Sequence, residues 1–378
     1  MIEKEFFTTI ETHYNSQLPF VAYRKPNEGF VKAILQKDGA IHTVNDFTES
    51  GFLFSPFDSK KDTILFPLEQ SKTISCEYII SSEISNISKL KRKKEASNNS
   101  ENEQEQHIKL VEQGIKAINE GRFEKVVLSR VEGVPISEEN PIEIFQNLLE
   151  NYPTAFVYLW YHPEIGLWLG ATPETLLKIE GQRFKTMSLA GTKKYDDAIE
   201  KPWGTKEIDE QQIVTDYIVN NLQDIVRDIN VTTPKTIKAG ELLHLQSKIS
   251  GVLKSEHLKL VVETLHPTPA ICGLPKIETK SFILNNENYN REFYTGFLGE
   301  LNIKTSKSRN TNRRNVENNA YSTVKTTSEL FVNLRCMQIK NQQAFIYVGG
   351  GITKDSNPEL EWEETVNKTQ TILSVLLN

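Results

Sequence analysis

Two apolar runs, AFVYLWY at 155–161 and GLWLGAT at 166–172, are separated by only four residues. Each reads as a strand, and so short a connection is that of neighbours in an antiparallel sheet, because a parallel pair needs a crossover of a dozen residues or more. EKVVLSR (124–130) is another compact strand, Ser188–Thr192 closes a further one, and AFIYVGGGI (344–352) reads as a strand running into a glycine turn. FLGEL (297–301) and LFVNLRCMQI (330–339) add two more. Helical spacing recurs in Ile108, Val111, Ile115 and Ile118, with Gly121 where a C-terminal cap is expected. It returns in Ile208, Val214, Ile218 and Leu222, and in EWEETVNKTQTILSVLLN at 361–378. Strands and helices are thus intermixed without the regular βαβ alternation of a doubly wound sheet, and the fold class is α/β in the α+β sense.

Three stretches stand apart. Residues 1–85 carry short apolar runs (FVAYRKP, FLFSPF, TILFPL) that read as strands of an accessory N-terminal β region. Residues 88–106, SKLKRKKEASNNSENEQEQ, hold almost no apolar side chains and read as a flexible, exposed connection, with Lys89–Lys94 a solvated basic cluster. The polar segment 304–327 reads as a long loop between two strands. A net charge of −6 leaves no footprint for nucleic acid or an acidic membrane surface. No apolar run approaches a membrane span, the N-terminus lacks the pattern of a signal peptide, and three scattered cysteines without a CxxC spacing suit a reducing compartment. A cytoplasmic protein is expected.

Glu207 and Glu210 lie three apart on one expected helix, and Glu361 and Glu364 on another. Two helices each presenting two carboxylates would suit one hard cation such as Mg²⁺, although the same spacing is also that of a solvated helix face. Gly349, Gly350 and Gly351 permit close approach of an anion, or simply a tight turn. Lys125 sits inside an apolar strand, as a buried candidate base or an edge lysine with its head in water. Thr172-Pro173-Glu174 has the signature of a helix start. Arg335, within LFVNLRCMQI, is a charge in an apolar strand able to clamp a carboxylate, and His266 in LHPTPA is either a structural histidine or one that orients a substrate oxygen. No Ser-His-Asp, Cys-His or zinc spacing appears. None of these signals decides a function alone.

As an ordered set they do more. KVVLSR (125–130), GATPETLL (170–177), SLAGT (188–192), KEIDEQ (206–211), LHPTPAICGLP (265–275), FYTGFLGEL (293–301), LRCMQI (334–339) and YVGGGITKDSNPELEWEETVNK (347–368) resemble the chorismate-utilising enzymes over roughly residues 105–378. The resemblance implies one large domain over 1–378, with a mostly antiparallel sheet core flanked by helices and a deep active-site cleft. It implies Mg²⁺ held directly by Glu210 and Glu364, with Glu207 and Glu361 as water-mediated partners. Tyr294, Arg335 and Lys368 match positions that grip the enolpyruvyl carboxylate, Gly191, Gly349 and Gly351 those that supply backbone donors, and His266 the family histidine lining the pocket. The segment 304–327 is longer than the hairpin usual there, and the first 80 residues match weakly.

Within the family, Lys125 resembles the water-using members, where ammonia users carry glutamine. Ala190 stands where aminodeoxychorismate synthases carry a lysine, and Ala270 resembles isochorismate synthases. The expected reaction is conversion of chorismate to isochorismate, for menaquinone or siderophore formation, with Lys125 as general base and Glu174 as general acid. Salicylate synthase is the nearest alternative, an anthranilate synthase large subunit a more distant one, and a non-catalytic binding protein on this fold the third. No glutaminase subunit is required of a water-using enzyme.

Overall fold

The runs 156–162 and 166–172 do pair antiparallel, Leu159 opposite Leu169 and Trp160 opposite Trp168. The structure, a computed structural model, describes residues 1–79, 99–136, 140–194, 202–239, 242–254, 258–307 and 323–376. In chain order the first part comprises α1 (Glu3–Asn15), β1 (Phe20–Arg24), β2 (Phe30–Gln36), β3 (His42–Thr43), β4 (Gly51–Ser55), β5 (Ile64–Pro67) and β6 (Ser71–Glu77). There follow α2 (Asn99–Asn119), β7 (Lys125–Pro135), α3 (Pro141–Asn151), β8 (Phe156–His162), β9 (Gly166–Thr172), β10 (Thr175–Glu180), β11 (Arg183–Lys194) and α4 (Thr205–Leu222). Then come β12 (Val226–Val231), β13 (Lys235–Ala239), β14 (Leu242–Leu253), α5 (Leu258–Leu265), β15 (Gly273–Leu274) and α6 (Lys276–Asn286). The chain closes with β16 (Phe297–Lys307), β17 (Thr323–Val332), β18 (Cys336–Lys340), β19 (Gln343–Ile352) and α7 (Pro358–Leu376).

Two antiparallel sheets result. The first has nine strands in the order β15-β7-β19-β18-β9-β8-β1-β2-β6; the second has ten, ordered β12-β14-β11-β10-β17-β16-β4-β5-β3, with β13 paired to β14. The sheets face one another across an aromatic layer in which Tyr23, Phe156, Tyr158, Trp160 and Trp168 meet Phe52, Phe54, Phe66 and Phe331. The outer face of the first sheet is covered by α1, α3 and α7, through Phe6, Ile10, Phe145, Leu148, Ile372 and Val375. The outer face of the second is covered by α4 and α5, through Val214, Ile218, Leu222, Val261 and Leu265. Alternation along each strand supplies the two apolar faces that this layering requires.

Several sequence expectations need correction. The polar tract ending at 106 is not wholly a loose connection: α2 begins at Asn99, because glutamate and glutamine are good helix formers and a solvated turn needs no apolar face. The rest of it, 88–98, lies outside the described residues. The N-terminal strands are not accessory; β1 sits between β8 and β2 in the first sheet, and β4 and β5 extend the second. Thr172-Pro173-Glu174 starts no helix: Thr172 ends β9, and the following TLLKIE pairs with β11 and β17. Sheet pairing overrides the local capping signature there. The segment 304–327 is not a loop throughout, since Lys304 faces Thr326 and Lys307 faces Thr323 across the β16–β17 ladder, while 308–322 lies outside the described residues. Finally, LFVNLRCMQI is not one strand. It breaks after Val332, crosses from the second sheet to the first, and resumes at Cys336.

Cys76, Cys272 and Cys336 are free and buried. No helix among the described residues is long and apolar enough to cross a membrane.

Candidate functional site

β7 and β19 pair so that Gly349 faces Ser129, Gly350 faces Leu128 and Gly351 faces Val127. The three glycines are therefore strand residues rather than a turn, and what they provide is room. A Cβ at Gly351 would lie 2.9 Å from Lys125 Cε and 3.0 Å from Glu210 Oε1; one at Gly349 would lie 2.7 Å from the Leu128 carbonyl oxygen and 3.1 Å from the Tyr294 hydroxyl. Side chains here would fill a cavity of about 160 Å³ lined by residues from both sheets and from α4 and α7.

Lys125, 1% exposed, faces inward and not into water. Its Nζ donates to Glu210 Oε1 at 2.5 Å. Glu174, 4% exposed, lies in the short connection between β9 and β10 and lines the cavity. Burial pushes its carboxyl up to about 8, and the nearby Lys125 charge only partly offsets this. At neutral pH such a carboxyl stays protonated and is able to donate a proton.

The two carboxylate-bearing helices behave alike. From α4, Glu207 and Glu210 line the cavity; from α7, Glu364 and Lys368 do. Glu364 pairs with Lys368 at 2.7 Å, and Lys368 Nζ also donates to the Gly349 carbonyl at 2.8 Å. Glu361 is buried behind them, accepting from Ser356 Oγ at 2.6 Å. A Cβ at Gly350 would sit 3.3 Å from Glu361 Oε2 and 3.7 Å from Glu364 Oε1, so this strand passes close to both carboxylates. Among the described residues, no three His, Cys, Asp or Glu side chains stand together as a complete ion cage. Carboxylates brought to one cavity from two helices are the donor type that suits a hard cation filling its other positions with substrate or water oxygens.

The break between β17 and β18 is what delivers Arg335. Asn333, fully buried, accepts from Tyr158 Oη at 2.7 Å and donates to the Phe293 carbonyl at 2.9 Å, and Arg335 takes a positive φ of 47°. Arg335 lines the cavity from this link, not from within a strand. Tyr294 lines it too, stacked on Tyr347 at 5.4 Å, its hydroxyl raised above the usual phenol range by burial. Behind this wall Arg291 ties Glu287 (2.6 Å) to the carbonyls of Val127 and Ile271, and Glu287 accepts from the backbone and hydroxyl of Ser129.

Ala190, Gly191 and Ala270 line the cavity. Gly191 forms a bulge in the β11–β14 ladder with φ 72°, and a Cβ there would meet Glu207 Cβ at 3.1 Å. His266 does not line the cavity. Its ring is buried one layer back, Nε2 reaching the Thr295 carbonyl at 2.9 Å and its edge packing on Phe297, and burial lowers it to about 3. The histidine in the wall is His244, which the sequence reading missed. On β14 it shares a face with Gln246 and exposed Lys248, so the alternation reads as a solvent side, yet Arg335 on the crossing link from β17 to β18 reaches it.

Residues 63–307 match the model of the chorismate binding enzymes, and residues 320–374 match a second model of the same description. The chain belongs to the chorismate-binding enzyme family. Within it, isochorismate synthase EntC of Escherichia coli K12 is 27% identical over 267 residues, 67% of this chain and 62% of the relative. The chain thus spans less than two thirds of that relative's length. Anthranilate synthase component 1 of Lactococcus lactis is 24% identical over 342 residues, covering 84% of this chain and 70% of its own. The fold is shared with a crystal structure described as a putative 2,3-dihydroxybenzoate-specific isochorismate synthase, DhbC, from Bacillus anthracis. That match has a TM-score of 0.74 at 22% identity and covers 99% of this chain and all of the other.

Proposed function

We propose that the protein is a Mg²⁺-dependent isochorismate synthase. The observation that carries this reading is the pairing of a carboxyl held protonated to about 8, Glu174, with an inward-facing amine, Lys125, beside one cavity. A carboxyl able to give a proton and an amine able to receive one, on one cavity, are what an acid–base exchange requires.

Chorismate would lie with its enolpyruvyl carboxylate against Arg335, Tyr294 and Lys368, and its ring between Lys125 and Glu174. Water adds at ring carbon C2 and surrenders a proton to Lys125 as the general base. The two ring double bonds each shift by one position, the C4–oxygen bond breaks, and Glu174 gives its proton to the departing hydroxyl. One water enters and one leaves, so the product is an isomer, and the two protonation states reset by exchange with solvent. Binding orients the reacting atoms, and each proton transfer is worth roughly 10²–10⁴-fold. Mg²⁺ held by Glu210 and Glu364, with Glu207 and Glu361 close by, would neutralise and fix the ring carboxylate. Ala190 leaves that wall without a lysine nucleophile, which supports direct water addition. A menaquinone or siderophore route would consume the product.

The test is mass spectrometry of products after mixing the protein with chorismate, with and without Mg²⁺ and ammonium. A chorismate isomer formed only with Mg²⁺ and indifferent to ammonium is expected, and Lys125→Ala, folded by circular dichroism, should not form it. Salicylate with pyruvate would move the assignment to a lyase-competent enzyme. An ammonium-dependent product would overturn the choice of water, and no product at all would leave a binding protein.

A further inference from the structure

We infer that His244 is a positioning residue that sets the plane of the Arg335 guanidinium before substrate arrives. The inference rests on the reading above, in which Arg335 grips a substrate carboxylate.

His244 is 8% exposed and held from two sides. Its Nδ1 lies 3.2 Å from the Gly191 carbonyl oxygen, and its Nε2 lies 3.0 Å from Arg335 Nη2. A carbonyl can only accept, so Nδ1 carries the proton, and a guanidinium can only donate, so Nε2 presents its lone pair. The two contacts together define one tautomer. The bulge at Gly191 turns that residue's carbonyl out of the β11–β14 ladder and toward the ring, which explains why an irregular strand lies opposite His244.

Arg335 needs such a partner. It hangs from a three-residue link between two sheets with a left-handed backbone, and a long arginine side chain gives up rotamer entropy when it is immobilised. Orienting the fork in advance removes part of that loss from the binding step. A neutral acceptor has a second merit. Burial, with the Arg335 and Lys368 charges, lowers His244 to about 3, so the ring orients the guanidinium without neutralising it. A carboxylate in the same place would compete with the substrate for the same donors.

The experiment is a double-mutant cycle on the full chain, with KM and kcat for chorismate measured at saturating Mg²⁺. His244→Ala should raise KM about tenfold with a much smaller change in kcat, the size expected for a hydrogen bond to a charged group. His244→Gln, whose amide oxygen reaches the place of Nε2, should recover most of this. His244→Asn, which keeps only the Gly191 contact, should not. Arg335→Ala should raise KM further, and adding His244→Ala to it should change KM less than twofold. A side chain that merely supports the fold would give multiplicative losses; that result, or wild-type KM in His244→Asn, overturns the inference. If His244→Ala does not fold, as judged by thermal unfolding, the Gln and Asn variants carry the same comparison. Wild-type protein that leaves chorismate untouched would sink the proposed function and this inference with it, whereas an active wild type with multiplicative losses sinks only the role of His244.

Discussion

The Glu174 carboxyl is held up to about 8 by burial, with the Lys125 charge opposing, and two pH effects of the same sign follow. In the general-acid role proposed for it, Glu174 works only while protonated, so kcat should fall as pH rises through about 8, and Glu174→Gln should lose roughly 10²–10⁴-fold in kcat. In the unfolded chain the same group titrates near the ordinary carboxylate value of about 4.3. Between the two values the folded state binds the extra proton, so this contribution to stability is fully present below about 4.3 and is lost as pH rises towards 8. The slope is at most about 1.4 kcal/mol per pH unit. Urea midpoints measured from pH 5 to 8 should therefore decline less steeply in Glu174→Gln, whose amide stays neutral; parallel curves would mean the carboxyl is not held protonated. None of this was legible in Thr172-Pro173-Glu174 taken locally, where the residues spell a helix cap. Glu174 was reached only through the resemblance of GATPETLL as a block.

At the scale of elements, the cavity depends on the rotation of α7. Neighbouring positions on a helix point about 100° apart, so fixing Thr365 and Thr369 aims Glu364 and Lys368. Both threonines are fully buried, and Arg130 on β7 reaches them, Nε to Thr365 Oγ1 at 2.8 Å and Nη2 to Thr369 Oγ1 at 3.3 Å, while its guanidinium lies 4.4 Å over Trp362. Arg130→Met should cost about 2 kcal/mol in urea unfolding and raise KM for chorismate through Lys368. Arg130→Lys should recover less than half, since one ammonium cannot make both bonds and stack; full recovery would show that charge alone matters. The helix itself was plain from its apolar spacing, as was α4, because a 3.6-residue period is written in one segment. What joins elements was not. The crossing at Asn333–Arg335 hides inside an unbroken apolar run, and His244 sits on a face that looks solvated, because each depends on a partner distant in sequence.

Across the whole molecule, the cavity takes Gly349 and Gly351 from one sheet and Gly191 and His244 from the other, so the distance between sheets must be kept. Two different contacts span it. The aromatic layer is broad and apolar, whereas a compact ionic cluster joins Lys25 and Lys32 to Glu300, with Tyr23 donating to the same carboxylate at 2.5 Å. Glu329 joins from β17, 3.1 Å from Lys25 and 2.8 Å from Lys178. Removing one partner of a buried pair leaves a charge without compensation, while replacing both with apolar groups can be nearly neutral. Glu300→Ala should accordingly lose about 3 kcal/mol in urea unfolding. Lys25→Met combined with Glu300→Leu should lose less than Glu300→Ala alone. Stacked rings such as Phe156 on Phe331, 4.2 Å apart, still fix the spacing of the sheets, so the folded variants should keep the wild-type KM for chorismate. A raised KM in the double variant, with its fold intact, would instead make the ionic cluster part of what holds the two walls of the cavity in register.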